Sequence, residues 1–199
     1  MYPQAIPTNY AGMLFRSRLE ADWAATLDSL HITWEYEPEG FRLSDGLWYS
    51  PDFYLPSANA WLEVKGSHMQ RVDAVERFAA DLWGDSGASD TYHKESPMII
   101  LATDPYNPLK DFGGDPDDFF NQLQYRWYGV FGPDKRYSVL AAVCPLCTLG
   151  TVITPFQPWC RSCGGEPAPD DSPWHGWDSW TDQCLRPFVR LPRLAGTRQ

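Results

Sequence analysis

YSPDFYLPSANAWLEVKG, residues 49–66, sets two short apolar runs on either side of a turn. The runs carry three charges that a core strand would not choose: Asp52 in the first, Glu63 and Lys65 in the second. A strand points alternate side chains to opposite faces. Glu63 and Lys65 therefore leave one face together, while Leu62 and Val64 point into a core. Pro51 suits a strand's first position. If PSANA makes the turn, the two strands pair and Asp52 comes to lie beside Glu63.

Two close carboxylates repel unless a proton or a cation sits between them. Mg²⁺ prefers carboxylate oxygens and keeps several waters. Such a water can attack a phosphodiester while the metal neutralises the charge growing on phosphorus. An ammonium at Lys65 would hold the water and stabilise that charge. The competing reading is an exposed Glu63–Lys65 strand pair of little energetic weight.

Pro51-Asp52, ten residues, then Glu63-Val64-Lys65-Gly66 resembles the signature of the PD-(D/E)XK nuclease superfamily. The resemblance spans about residues 14–102 and includes FRSRLEADWA, where Glu20 matches the family's helix glutamate. The pattern is most similar to small phage and mobile-element endonucleases, including resolvase-like, Hef-like and transposon-end-cleaving branches. It implies a restriction-endonuclease-like α/β fold, a mixed sheet flanked by helices, and a DNA endonuclease using Mg²⁺ (or Mn²⁺). By the same resemblance Glu20, Asp52, Glu63 and the Val64 carbonyl bind the metal and Lys65 assists the nucleophile. Arg71, after the lysine strand, becomes a candidate phosphate contact, although a solvated helix face also accounts for it. Many such enzymes work as dimers, so a homodimer or a partner protein is expected.

Upstream, Leu19, Trp23, Leu27 and Leu30 recur at helical spacing and predict a helix from about 11 to 30. Glu20 falls at the edge of its apolar face, where an acid needs a partner. That partner is either the metal site or Arg16, four residues before it. Ile32, Trp34 and Tyr36 alternate as in a strand. Asp45-Gly46 signals a hairpin between 41–43 and 47–55. Residues 69–83 predict a second helix, with His68 just before it as a proton shuttle or an ordinary loop histidine. PMIILA (97–102) reads as a central strand buried on both faces. QYRWYGVF and YSVLAAV, around GPDKR, read as another hairpin.

Cys144-Pro-Leu-Cys147, twelve residues, then Cys160-Arg-Ser-Cys163 is the spacing of a four-cysteine zinc ribbon. Two tight turns deliver four thiolates to the tetrahedral site Zn²⁺ favours. Two disulfides are the alternative, and no secretory segment supports them. TLGTVITPFQPW between the knuckles reads as the ribbon's hairpin. The module is either a contact surface or a clip for stability. Cys184 is left over and reads as a buried small apolar residue. Three tryptophans, Trp174, Trp177 and Trp180, suit base stacking or packing. Arg186, Arg190, Arg193 and Arg198 make a basic tail without acids, for backbone contact or simply a terminus. The division expected is 1–139 for a nuclease-like core, 140–166 for the zinc ribbon and 167–199 for a Trp-rich, basic tail.

The chain has 199 residues and 43% hydrophobic content, enough for one sizeable domain and an appendage. No apolar run approaches the roughly 20 residues of a membrane helix. No signal segment is legible, so a cytoplasmic setting is expected, the host's if the chain is phage-encoded. The net charge of −10 opposes simple electrostatic attraction to nucleic acid. Residues 1–66 carry 4 basic and 9 acidic side chains, 67–139 carry 7 and 12, and 140–199 carry 5 and 5. DNA binding then requires a local basic patch or a partner. Two other readings stay open: a non-catalytic scaffold binding nucleic acid or protein through ribbon and tail, and an RNA nuclease with the same site.

Overall fold

The turn at PSANA forms, and it fixes the register of everything around it. Strand β6 (Phe53–Leu55) runs into a single 3-10 turn at Pro56–Ala58, and Asn59 closes it with φ 44°. Strand β7 (Ala60–Val64) returns antiparallel, with Phe53 opposite Leu62. One step further along that register, Asp52 lies level with Glu63. The computed structural model describes residues 5–66, 72–83, 97–102, 127–130, 136–144, 146–153 and 159–165. The tail of 167–199, with Cys184 and Arg186, Arg190 and Arg193, lies outside them, as do His68 and Arg71.

Ahead of the hairpin come β1 (Thr8–Tyr10), β2 (Met13–Phe15), helix α1 (Arg18–Ser29), β3 (Glu35–Tyr36), β4 (Phe41–Arg42) and β5 (Trp48–Tyr49). After it come helix α2 (Val72–Trp83), β8 (Met98–Ala102), β9 (Trp127–Val130), β10 (Arg136–Ser138), β11 (Leu140–Val143) and β12 (Gly150–Ile153). Six strands make a mixed sheet in the order β10-β9-β8-β7-β6-β3. Only β7 and β8 pair in parallel, with α2 between them in sequence. Parallel neighbours need such a crossover.

The sheet is buried on both sides, and the alternation of β7 and β8 shows how. Leu62, Val64, Ile100 and Ala102 join Trp23, Ala24 and Leu27 of α1 in one core. Trp61, Ile99 and Leu101 join Ala74, Val75, Phe78 and Ala79 of α2 in the other. The result is a mixed sheet between two helices. Met98–Ala102 is buried at every position, as a central strand should be.

Two local expectations are corrected. The first helix does not begin near residue 11. Residues 8–15 form the β1–β2 hairpin, turned at Ala11 (φ 48°) and Gly12 (φ 82°). Positive φ at both central residues is what a type I′ hairpin turn requires. The helix starts where Ser17 caps it: the Ser17 hydroxyl accepts the Glu20 N–H at 3.2 Å. Residues 47–55 are not one arm. Pro51 lacks an N–H and breaks the ladder. Trp48–Tyr49 therefore pairs with Phe41–Arg42 in a separate hairpin, and Phe53–Leu55 joins the main sheet. Of the segment between the knuckles, the described strand Gly150–Ile153 pairs back with Leu140–Val143, so that hairpin encloses the first knuckle, and residues 154–158 lie outside the described residues.

Candidate active site

Three acids of the first 66 residues converge at the end of β6–β7 away from the turn. Glu20, Asp52 and Glu63 are 8%, 4% and 5% exposed. Such burial of carboxylates needs partners. Asp52 Oδ2 accepts the main-chain N–H of Val64 at 2.7 Å, a bond fixed by the hairpin register. Asp52 Oδ1 accepts Arg16 Nη2 at 2.9 Å. Glu63 Oε2 accepts the Tyr49 hydroxyl at 2.8 Å, while Oε1 pairs with Lys65 Nζ. The Lys65 N–H is held by the Ala102 carbonyl at 2.8 Å, so the parallel strand fixes the backbone from which the ammonium projects.

Glu20 stands at the rim. It is the fourth residue of a Ser-x-x-Glu capping box. Its Oε1 accepts the Ser17 hydroxyl at 2.7 Å, and its Oε2 accepts Tyr36 at 2.5 Å and the Arg16 N–H at 3.2 Å. Burial, then the bond to Glu20, lifts the Tyr36 phenol to about 12, so it remains a donor. The expected alternative, a side-chain pair between Arg16 and Glu20, is not what forms. Arg16 reaches past Glu20 to Asp52 and to Glu37. Sequence reading had no signal for Tyr36 and Tyr49 as carboxylate donors. The capping box was a signal for Arg16, because it places that residue before the helix.

The electrostatics follow. Burial, reinforced by the charges of Glu63 and then Glu20, pushes the Asp52 carboxyl up to about 8 against the pull of Val64 N–H and Lys65. This chain's own cations therefore do not fully neutralise the cluster. An oxygen-only, acid-rich set on fixed strands suits Mg²⁺ or Mn²⁺. Asp52 and Glu63 are two carboxylates of the kind such an ion takes alongside water, while the group of three or more ligand atoms close enough for a single ion among the described residues is the four cysteines. The raised value also sets a sign. An acid whose folded value lies above its ordinary 3.8 contributes stability that is lost as pH rises through about 8. Asp52→Asn has no proton to lose. Without Mg²⁺ it is expected to melt above the wild type at pH 8.5 by at least ~1 kcal/mol, about 2–4 °C. The gap should shrink at pH 6. A variant that melts lower at both pH values would show that Asp52 is a net stabiliser.

The four cysteines meet near the other end of the hairpin, roughly 13 Å away by strand rise. Their sulfurs all lie within 4.8 Å of one another, with Cys144–Cys163 at 3.9 Å and Cys147–Cys160 at 3.8 Å. A tetrahedral site with Zn–S of about 2.3 Å requires sulfurs about 3.8 Å apart. A disulfide needs about 2.05 Å, and all four cysteines are free. The group can hold a metal ion, and its spacing is consistent with structural zinc. Both knuckles repeat one backbone pattern. Cys144 N–H reaches the Leu149 carbonyl and Thr148 N–H the Cys144 carbonyl, each at 2.8 Å. Cys160 to Gly165 and Gly164 to Cys160 do the same at 2.8 and 2.7 Å. The matching residues Thr148 and Gly164 both take positive φ, 62° and 71°.

The cluster is bolted to the core. Arg161 Nε donates to the Ala58 carbonyl at 2.6 Å and the Ser162 hydroxyl to that of Ser57 at 3.0 Å. Both acceptors belong to the β6–β7 turn. A Cβ on Gly150 would lie 2.3 Å from the Leu30 carbonyl oxygen, so only glycine permits the approach of β12 to the end of α1. Among the described residues no helix is long and apolar enough to cross a membrane.

No protein-family model, curated protein or solved structure matches this chain.

Proposed function

We propose that the chain is a metal-dependent endonuclease hydrolysing DNA phosphodiesters, built on a restriction-endonuclease-like core. The observation that carries the reading is the meeting of the buried Asp52 and Glu63 with Lys65 at one end of β6–β7, a cluster crowded with negative charge. The order of elements supports it: a helix, three antiparallel strands (β3, β6, β7), a helix, and a strand parallel to the last. A mixed sheet flanked by helices is what the resemblance implies.

Asp52 and Glu63 would hold Mg²⁺, with the Val64 carbonyl and Glu20 at the margin. The ion supplies an activated water and charge neutralisation at phosphorus. The protein does the rest. Val64 N–H and the Tyr49 hydroxyl lock the two carboxylates in place. Lys65 positions the water and offers its charge to the transition state. The cysteine group binds zinc and serves the fold. Processing of phage or mobile-element DNA is the setting this suggests, with a homodimer or partner protein offsetting the acidic surface.

The test is incubation of the zinc-loaded protein and Mg²⁺ with labelled duplex, single-stranded, flap and four-way-junction DNA, with RNA as competitor. Cleavage that needs Mg²⁺ supports the reading, and the panel identifies the substrate. Preferential cutting of RNA moves the same chemistry to an RNA nuclease. No cutting of any nucleic acid by folded protein overturns the enzyme reading. The net charge of −10 then favours the scaffold alternative.

A further inference from the structure

Arg16 is the one guanidinium among the described residues that reaches the carboxylate cluster, and its two ends behave differently. Its main-chain N–H is pinned, shared between Glu20 Oε2 and the Tyr36 hydroxyl at 3.2 Å each. Phe15 before it is wholly buried and Ser17 after it caps α1. The side chain, by contrast, is 61% exposed. It spans Glu37 Oε1 at 2.5 Å and Asp52 Oδ1 at 2.9 Å. A rigid stem thus carries a head that water can reach.

Asp52 has both oxygens engaged. The partner of Oδ2 is the Val64 main chain, which the sheet holds in place. The partner of Oδ1 is the exposed guanidinium. A divalent cation held between Asp52 and Glu63 would repel the guanidinium beside Oδ1 and compete with it for that oxygen. The released head stays tethered at the mouth of the site. Its planar fork matches the two non-bridging oxygens of a phosphodiester.

We propose that Arg16 is an exchangeable cation: it occupies Asp52 without metal, is displaced when a divalent ion binds, and then takes a backbone phosphate of the nucleic-acid substrate. Metal loading would in this way create the substrate-binding group. The phosphate half rests on the nuclease reading above, and the displacement half stands without it.

Two measurements on the full, zinc-loaded chain divide the halves. Mn²⁺ binding, followed by electron paramagnetic resonance, is expected to be about tenfold tighter in Arg16→Ala than in wild type, since the competitor is gone. Unchanged or weaker Mn²⁺ binding, with the variant's melting temperature retained, overturns displacement. If the alanine variant melts early, Arg16→Gln gives the same reading with the stem's packing preserved. The second measurement is affinity for labelled DNA by fluorescence anisotropy, with Ca²⁺ as a non-cleaving ion. Arg16→Ala is expected to bind about tenfold more weakly than wild type with Ca²⁺, and equally without it. Equal binding in both conditions overturns the phosphate role. Wild-type protein that ignores DNA even with Ca²⁺ removes the nuclease reading and the phosphate half together, and the Mn²⁺ result still decides the exchange.

Discussion

Stripping zinc from the four-cysteine group is expected to open residues 139–165 and to lower the melting temperature by on the order of 10 °C or more. Purified protein should carry one zinc per chain. Cys160→Ser should reproduce the loss without a chelator. The size follows from what the group supports. Apparent zinc binding in isolated knuckle peptides is worth about 10–16 kcal/mol, comparable with the whole stability of a domain. Here part of that energy reaches the main core. Val139 and Val152 are each 1% exposed and pack in the cluster around α1 and the β6–β7 hairpin. Exposing each costs about 1.5–3 kcal/mol. The turn would also lose its bonds from Arg161 and Ser162. With each 1 kcal/mol worth about 2–4 °C in a chain of this size, the sum reaches ten degrees. Protein that lacks zinc yet melts at the same temperature would refute the clip.

That clip acts on the loop of the very hairpin whose other end carries Asp52 and Glu63. The placement connects the described knuckles to the site through the hairpin. Ribbon residues fix the turn, the turn fixes the register, and the register sets Asp52 level with Glu63. A one-residue slip would send these side chains to the opposite face.

Much of this was legible because short periodicities carried it. Alternation across WLEVKG gave Leu62 and Val64 to the core and Glu63 and Lys65 to one face, and cysteine spacing gave the metal group. What escaped was set by contacts distant in sequence or by weak turn signals. Ala11-Gly12 lacks the Asn or Asp that marks a tight hairpin, so 11–15 read as helix. Counting Arg16 as helical then made Glu20 its neighbour at four residues, whereas its side chain crosses 36 residues to Asp52. The hydroxyls of Tyr36 and Tyr49 sit among aromatic core residues in sequence, and only the fold shows that they end on Glu20 and Glu63.

Lys65→Ala is expected to lower Mg²⁺-dependent cleavage at least ~10³-fold, about 4 kcal/mol of transition-state stabilisation. Affinity for DNA in Ca²⁺ should change less than about tenfold. The split is the point of the experiment. An ordinary strand ion pair with Glu63 is worth about 0–1 kcal/mol and would leave the rate of a folded enzyme intact. The ammonium here is not ordinary. It is only 20% exposed, its backbone is tied to Ala102, and its partner Glu63 is held from the other side by Tyr49. Removing it leaves a buried carboxylate without its cation, so stability must be compared with Mg²⁺ present, where the ion takes over that compensation. Lys65→Arg separates charge from shape. A guanidinium keeps the positive charge but spreads it over a planar fork, and it cannot place a compact donor against one water. It should restore stability without Mg²⁺ while recovering little of the rate. Full activity in Lys65→Ala would remove Lys65 from the chemistry and leave Asp52 and Glu63 as a binding site alone, whereas full activity in Lys65→Arg would show that the positive charge suffices without the compact donor.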